Sequence, residues 1–114
     1  MNKLRDTELI ITNSGRIYHL NLKKEEIADD IILVGDPNRV EQISNKFEKI
    51  DFKITHREFI THTGYYNNKK ISVISSGIGT DNIDIVINEL DALANINFES
   101  RQINKIKKSL NIIR

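Results

Sequence analysis

The spacing of apolar residues changes along this chain, and each spacing predicts a different element. Ile31-Ile32-Leu33-Val34 is an unbroken apolar run, the pattern of a strand covered on both faces. It stops at Gly35-Asp36-Pro37, after which Val40, Ile43 and Phe47 recur at helical spacing and predict a helix from Pro37 to about Phe47. Asp36 suits the N-cap, and Pro37 suits the first helical position because its missing N–H would be unpaired there anyway. Two extended runs follow, Phe52 to Thr63 and Lys69 to Ser75, with Gly64-Tyr65-Tyr66-Asn67-Asn68 between them. Asn67-Asn68 tolerates left-handed backbone, so the two runs are predicted to form a hairpin, with His56-Arg57-Glu58 inside its first strand. The second run ends in Gly77-Ile78-Gly79-Thr80-Asp81-Asn82. A helix capped by Thr80 or Asp81 and running to about Ala94 would put Ile83, Val86, Ile87, Leu90 and Leu93 on one broad face. Its charges, Asp84, Glu89 and Asp91, read as solvent-facing.

The ends of the chain carry weaker patterns. Arg16 to Leu20 suits a short extended stretch, Glu25 to Asp30 a helical turn, and Arg101 to Lys108 a short helix carrying Ile103 and Ile106. Leu110 to Arg114 reads as a buried strand. Parallel strands need crossover helices and covered faces, and here an apolar strand stops at the last residue. The expectation is an α/β chain, residues 1–114 forming the N-terminal portion of one larger domain with no internal boundary.

Composition narrows the function. At 114 residues, 39% hydrophobic and 29% charged, the chain suits one folded domain. A net charge of +1 argues against a general nucleic-acid-binding face, and the lysine clusters at 23–24, 69–70 and 105–108 have polar or acidic neighbours. The absence of cysteine excludes disulfides, thiolate catalysis and thiolate metal sites. No apolar stretch approaches the ~18 residues of a membrane span. The first residues are charged where a secretory signal would be apolar, so a cytoplasmic location is expected.

Candidate chemistry lies at the two strand–turn–helix junctions, because ligands of open α/β sheets bind beyond the carboxyl ends of the strands. A helix N-terminus attracts anions, and Arg39, in the first turn, adds a planar cation that matches phosphate. This points to phosphate or carboxylate capture; a good helix start with a solvated arginine is the alternative. Gly77-Ile78-Gly79 lacks the following Lys-Ser/Thr of a Walker loop and the third glycine of a dinucleotide fingerprint, so a tight structural turn is equally open. Arg57 could aim at an anion or pair with Glu58 or another carboxylate. His19, His56 and His62 are too scattered in sequence to suggest a metal site.

Taken together, Tyr18-His19-Leu20, the segment Ile31 to Val40 with its Gly-Asp-Pro-x-Arg-Val, His56-Arg57-Glu58-Phe59 and Ser75-Ser76-Gly77-Ile78-Gly79 resemble the N-terminal half of the nucleoside phosphorylase family, on its uridine phosphorylase side. The resemblance runs from about Ile17 to the end. It implies a mixed central sheet flanked by helices, and reversible phosphorolysis of a nucleoside to ribose 1-phosphate and free base. It implies phosphate binding by Gly35 and Arg39, with Arg57 reaching the phosphate of a neighbouring subunit. His19 would reach across a dimer interface to the 5′-hydroxyl of the sugar, and Arg114 would be a further phosphate arginine. The partners implied are a nucleoside, phosphate and further copies of the chain, with no membrane or nucleic acid. Inorganic phosphate is the co-substrate, and the chemistry calls for no metal or other cofactor. The family's second glycine turn usually continues with Pro-Ser or similar, whereas this chain has Thr80-Asp81-Asn82; the later part, Ile85 with Glu89-Leu90, keeps the family's pattern. The family's base- and ribose-recognising residues belong to its second half, so the 114 residues alone are expected to be inactive. A nucleosidase of the same fold and a non-catalytic phosphate-binding or oligomerisation remnant are the alternatives.

Overall fold

The computed structural model describes residues 11–12, 15–77, 80–97, 102–103 and 111–113. Its strands are β1 (Asp30–Val34), β2 (Lys49–His56), β3 (Phe59–Tyr66), β4 (Lys69–Ser75), β5 (Ile96–Asn97), β6 (Gln102–Ile103) and β7 (Asn111–Ile113). The helices are α1 (Pro37–Ser44) and α2 (Thr80–Asn95), and a 3₁₀ turn (Lys24–Glu26) precedes β1. The main sheet has the order β2-β3-β4-β1-β7; β1 is parallel to both β4 and β7, and β3 is antiparallel to its two neighbours. This is the mixed sheet expected.

The two helices cover opposite faces. Register puts Ile31, Leu33, Ser72, Ile74, Thr61 and Thr63 on one face. There Ile31, Leu33, Ile74 and Phe59 join Val86, Leu90 and Leu93 of α2 and Ile17, Leu20 and Leu22 of the N-terminal segment in the main core. Burying each such aliphatic side chain contributes about 1.5–3 kcal/mol. The segment before β1 is also pinned to that face, through Ala28 N–H to Ser72 Oγ (2.8 Å) and Thr63 Oγ to the Glu26 carbonyl (2.7 Å). On the other face α1 packs over β3 and β4, where Val40 and Val73 are fully buried and Ser44 Oγ meets His62 Nδ1 at 2.7 Å.

Several sequence expectations are corrected. The extended run Phe52 to Thr63 is not one strand: it breaks at Arg57-Glu58, a two-residue hairpin tip joining β2 to β3, and Arg57 takes left-handed backbone at φ 57°. The expected Asn67-Asn68 hairpin forms between β3 and β4, with φ of 52° and 63°. Helix α1 ends at Ser44 rather than Phe47, capped by the Asn45 N–H. Residues 18–20 turn instead of extending. Gln102-Ile103 pairs with β5 rather than starting a helix, and the rest of Arg101–Lys108 lies outside the described residues. The C-terminal strand forms at the edge of the described sheet, and it is buried on one face only: Ile112 packs against the main core, whereas Ile113, on the other face, is 66% exposed. Ile87 is likewise exposed rather than on the buried face of α2.

Candidate functional site

The carboxyl ends of β1 and β4 lie side by side, with Val34 opposite Ser75 and the ladder prolonged by Ser76 N–H to the Val34 carbonyl at 2.9 Å. From β1 the chain runs to α1 on one face; from β4 it runs to α2 on the other. Adjacent strands whose connections leave on opposite faces open a crevice beyond their ends. The turns at Gly35 and Gly77 border it, close enough that a Cβ on Gly35 would sit 3.6 Å from the Gly77 carbonyl oxygen.

Other candidate residues come to the same edge. Because β3 runs antiparallel to β4, the β2–β3 tip returns to the carboxyl end of β4. Ser75 Oγ fastens it there, donating to the Glu58 carbonyl (2.7 Å) and accepting from Ile60 N–H (2.9 Å). Arg57 is therefore presented from this edge. His56 Nδ1 donates to the His19 carbonyl at 2.7 Å, which brings His19 alongside. Gly35, Arg39, Arg57 and His19 thus gather at one end of the sheet. Arg114 and Gly79 lie outside the described residues.

Electrostatically, two cations of this edge have no partner among the described residues. Arg39 and Arg57 are exposed, and among the described residues neither guanidinium forms an ion pair or hydrogen bond, so the Arg57–Glu58 pairing is not made. The helix start is less open to an anion than the sequence suggests. Pro37 has no N–H, Asp36 Oδ1 accepts from Asn38 N–H at 2.9 Å, and the Asp36 carbonyl accepts from Arg39 N–H at 3.0 Å. The cap that builds α1 thus consumes its first donors, leaving the Arg39 fork and the bare Gly35 to meet a ligand.

The role of one residue was missed in the sequence. Glu89, read as solvent-facing, turns into the fold: its carboxylate accepts from the backbone N–H of His19 and Leu20 and from His19 Nδ1 at 2.7 Å. A signal existed, since Glu89 falls three residues after Val86 and four before Leu93, on the apolar stripe of the helix. Asp84 and Asp91 are exposed as expected. Among the described residues no helix is long and apolar enough to cross a membrane.

The phosphorylase superfamily model matches residues 29–104, and the chain belongs to that family. Among relatives, a uridine phosphorylase of Thermococcus kodakarensis is 42% identical over 82 residues, 72% of this chain and 30% of the relative. A DeoD-type purine nucleoside phosphorylase of Bacillus velezensis is 40% identical over 73 residues, 63% of this chain and 32% of the relative. Among solved structures, a Trypanosoma brucei nucleoside phosphorylase with uridine phosphorylase activity superposes with a TM-score of 0.79 at 45% identity, covering 83% of this chain and 30% of that one. A Toxoplasma gondii purine nucleoside phosphorylase, solved with immucillin-H, gives 0.66 at 34% identity, over 74% and 34%. The chain spans about a third of the length of these relatives.

Proposed function

We propose that this chain supplies the phosphate-holding part of a nucleoside phosphorylase acting as a cytoplasmic homo-oligomer. The observation that carries the reading is the exposed Arg39 guanidinium, unpaired among the described residues, beside the bare Gly35 turn at the carboxyl end of β1, with Arg57 equally exposed and unpaired and so available to a neighbouring subunit. Such a cation suits a phosphate dianion better than a neutral ligand, since Arg matches its oxygens two at a time, and an Arg57 offered by a neighbouring subunit would add a second.

In the proposed reaction a phosphate oxygen attacks the anomeric carbon as the N-glycosidic bond breaks; ribose 1-phosphate and the free base result. Positive charge develops on the sugar in the transition state. A dianion fixed beneath it acts as nucleophile and as electrostatic partner at once. Arg39 holds the phosphate from within the subunit, Arg57 from a neighbour, and Arg114 is the proposed third arginine. His19, also offered across the interface, takes the sugar's 5′-hydroxyl. Phosphate is the co-substrate, with no further cofactor required by these steps.

The test is Arg39→Ala in the full-length protein, assayed by base release from uridine and from inosine at varied phosphate. A lost charge-assisted contact, about 1.5–3 kcal/mol, raises the phosphate KM about 10- to 150-fold. Unchanged phosphate dependence removes Arg39 from the site. Base release that ignores phosphate altogether makes the protein a nucleosidase instead.

A further inference from the structure

Glu89, midway along α2, carries a carboxylate that is only 12% exposed and is fully engaged with one turn of the N-terminal segment. Oε1 accepts from Leu20 N–H at 2.8 Å and from His19 N–H at 3.1 Å; Oε2 accepts from His19 N–H at 3.0 Å and faces His19 Nδ1 at 2.7 Å. An ionised carboxylate is an acceptor only, so the Nδ1 contact requires a proton on Nδ1. When the ring is uncharged its lone pair is then on Nε2, and Nε2 makes no hydrogen bond to any described residue. Other contacts immobilise the ring. The His19 carbonyl accepts from His56 Nδ1 at 2.7 Å, and Tyr18 and Phe59 stand edge-on to it at 4.8 and 6.2 Å between centroids. Even so, 31% of the His19 side chain stays exposed.

We propose that Glu89 is a positioning residue for the sugar site: it locks the Tyr18–Leu20 turn and the His19 tautomer so that Nε2 is presented as an acceptor for a ligand hydroxyl. The identity of that hydroxyl, the 5′-OH of a nucleoside, rests on the function proposed above. The consequence is specificity. An acceptor nitrogen rewards an O–H donor and gives nothing to a 5′-methyl group. The site therefore takes nucleosides that carry the 5′-hydroxyl in preference to 5′-deoxynucleosides. A carboxylate serving only to cap a turn would affect stability without setting the tautomer.

Long-range nitrogen–proton NMR of the imidazole, on the wild-type protein and on Glu89→Gln, tests the lock. Wild-type His19 should be protonated at Nδ1. Glu89→Gln, which keeps the length but sets an amide N–H₂ against backbone donors, should move the proton toward Nε2. A wild-type ring protonated at Nε2, or a tautomer indifferent to Glu89→Gln, overturns the proposal. The wild-type spectrum decides alone should the variant not fold. A second arm compares kcat/KM for uridine and 5′-deoxyuridine in the full-length protein. The wild type should favour uridine by about two- to tenfold, the worth of one hydrogen bond, and Glu89→Gln should approach parity with its phosphate KM unchanged. Full discrimination surviving in Glu89→Gln also overturns the proposal. The Nδ1 tautomer in a wild type that does not discriminate upholds the lock and instead removes His19 from the ribose.

Discussion

Strands β1 and β4 are parallel neighbours that end in register, and each is followed by a glycine turn and a helix, yet the two glycines answer to different demands. Gly77 has φ +77°, and a Cβ there would lie 2.8 Å from Glu58 Cγ and 3.1 Å from Asn82 Nδ2. Its neighbours leave no room for a side chain, and its backbone disfavours one. Gly35 has neither constraint: its φ is not positive, and a Cβ would meet only the Gly77 carbonyl oxygen at an ordinary 3.6 Å. The fold dictates glycine at 77 and would accept alanine at 35. What glycine preserves at 35 is open space on an exposed turn four residues from Arg39, the space a bound anion would need.

The contrast can be broken by one methyl group at each position. Gly77→Ala should lower stability by about 1–3 kcal/mol, the cost of a non-glycine residue in left-handed backbone, with further loss from displacing Glu58. Gly35→Ala should stay within about 0.5 kcal/mol, as an unstrained exposed change does. Urea denaturation of the two variants beside wild type reads the difference directly. In the full-length protein Gly35→Ala should still raise the phosphate concentration needed for half-maximal rate. Equal destabilisation at the two sites, or an unaltered phosphate requirement in Gly35→Ala, would erase the distinction.

What could be read in the sequence followed what local chemistry decides. The apolar run at 31–34, the Asp36-Pro37 start, the Asn67-Asn68 turn and the periodicity of Val86, Leu90 and Leu93 each declare one element, and each element forms. The hairpin tip at 57–58 was hidden because Arg57 takes left-handed backbone without being Gly, Asn or Asp. Tertiary bonds from Ser75 to both sides of the tip hold it there. Glu89 was hidden for a related reason: its partners, His19 and Leu20, lie some 70 residues away in sequence. Resemblance named Gly35, Arg39, Arg57 and His19 one by one; their common edge follows from strand order, which no single motif encodes. The consumption of the α1 donors by Asp36 was implicit in the capping motif itself, since a filled cap is a less open anion site.

The two hairpin tips extend the comparison to the next smaller effect. Asn67 and Asn68 suit left-handed backbone, whereas Arg57 holds φ 57° at a steric cost of about 1–2 kcal/mol. Arg57→Gly removes that cost and restores about 0.5–1 kcal/mol of chain entropy to the unfolded state, so a net gain of about 0.5 kcal/mol is expected. Arg57→Ala keeps the strained backbone and should give no gain. Both variants lose the guanidinium, so both should weaken phosphate use in the full-length protein while their thermal midpoints separate. A drop in stability for Arg57→Gly would mean that the arginine side chain supports the fold, which would make its conformation structural rather than functional.

The smallest expected effect lies on the α1 face of the sheet, away from the Arg57 tip. His62 is buried against Ser44 Oγ, and burial pushes its pKa below the ordinary 6.5; nearby Lys53 adds to the lowering and Glu41 opposes it. The unfolded chain therefore binds the His62 proton more readily than the folded one. By linkage, the stability that His62 contributes is fully present above pH 6.5. It declines as pH falls below 6.5 and levels off once the folded ring is also protonated. His62→Gln should flatten this part of the pH–stability curve without altering the rest. Urea midpoints of the two proteins should then converge or cross between neutral pH and pH ~5. A constant gap between them across that interval would show that the folded ring titrates as it does in the unfolded chain, and that the pocket under α1 is wetter than its packing suggests.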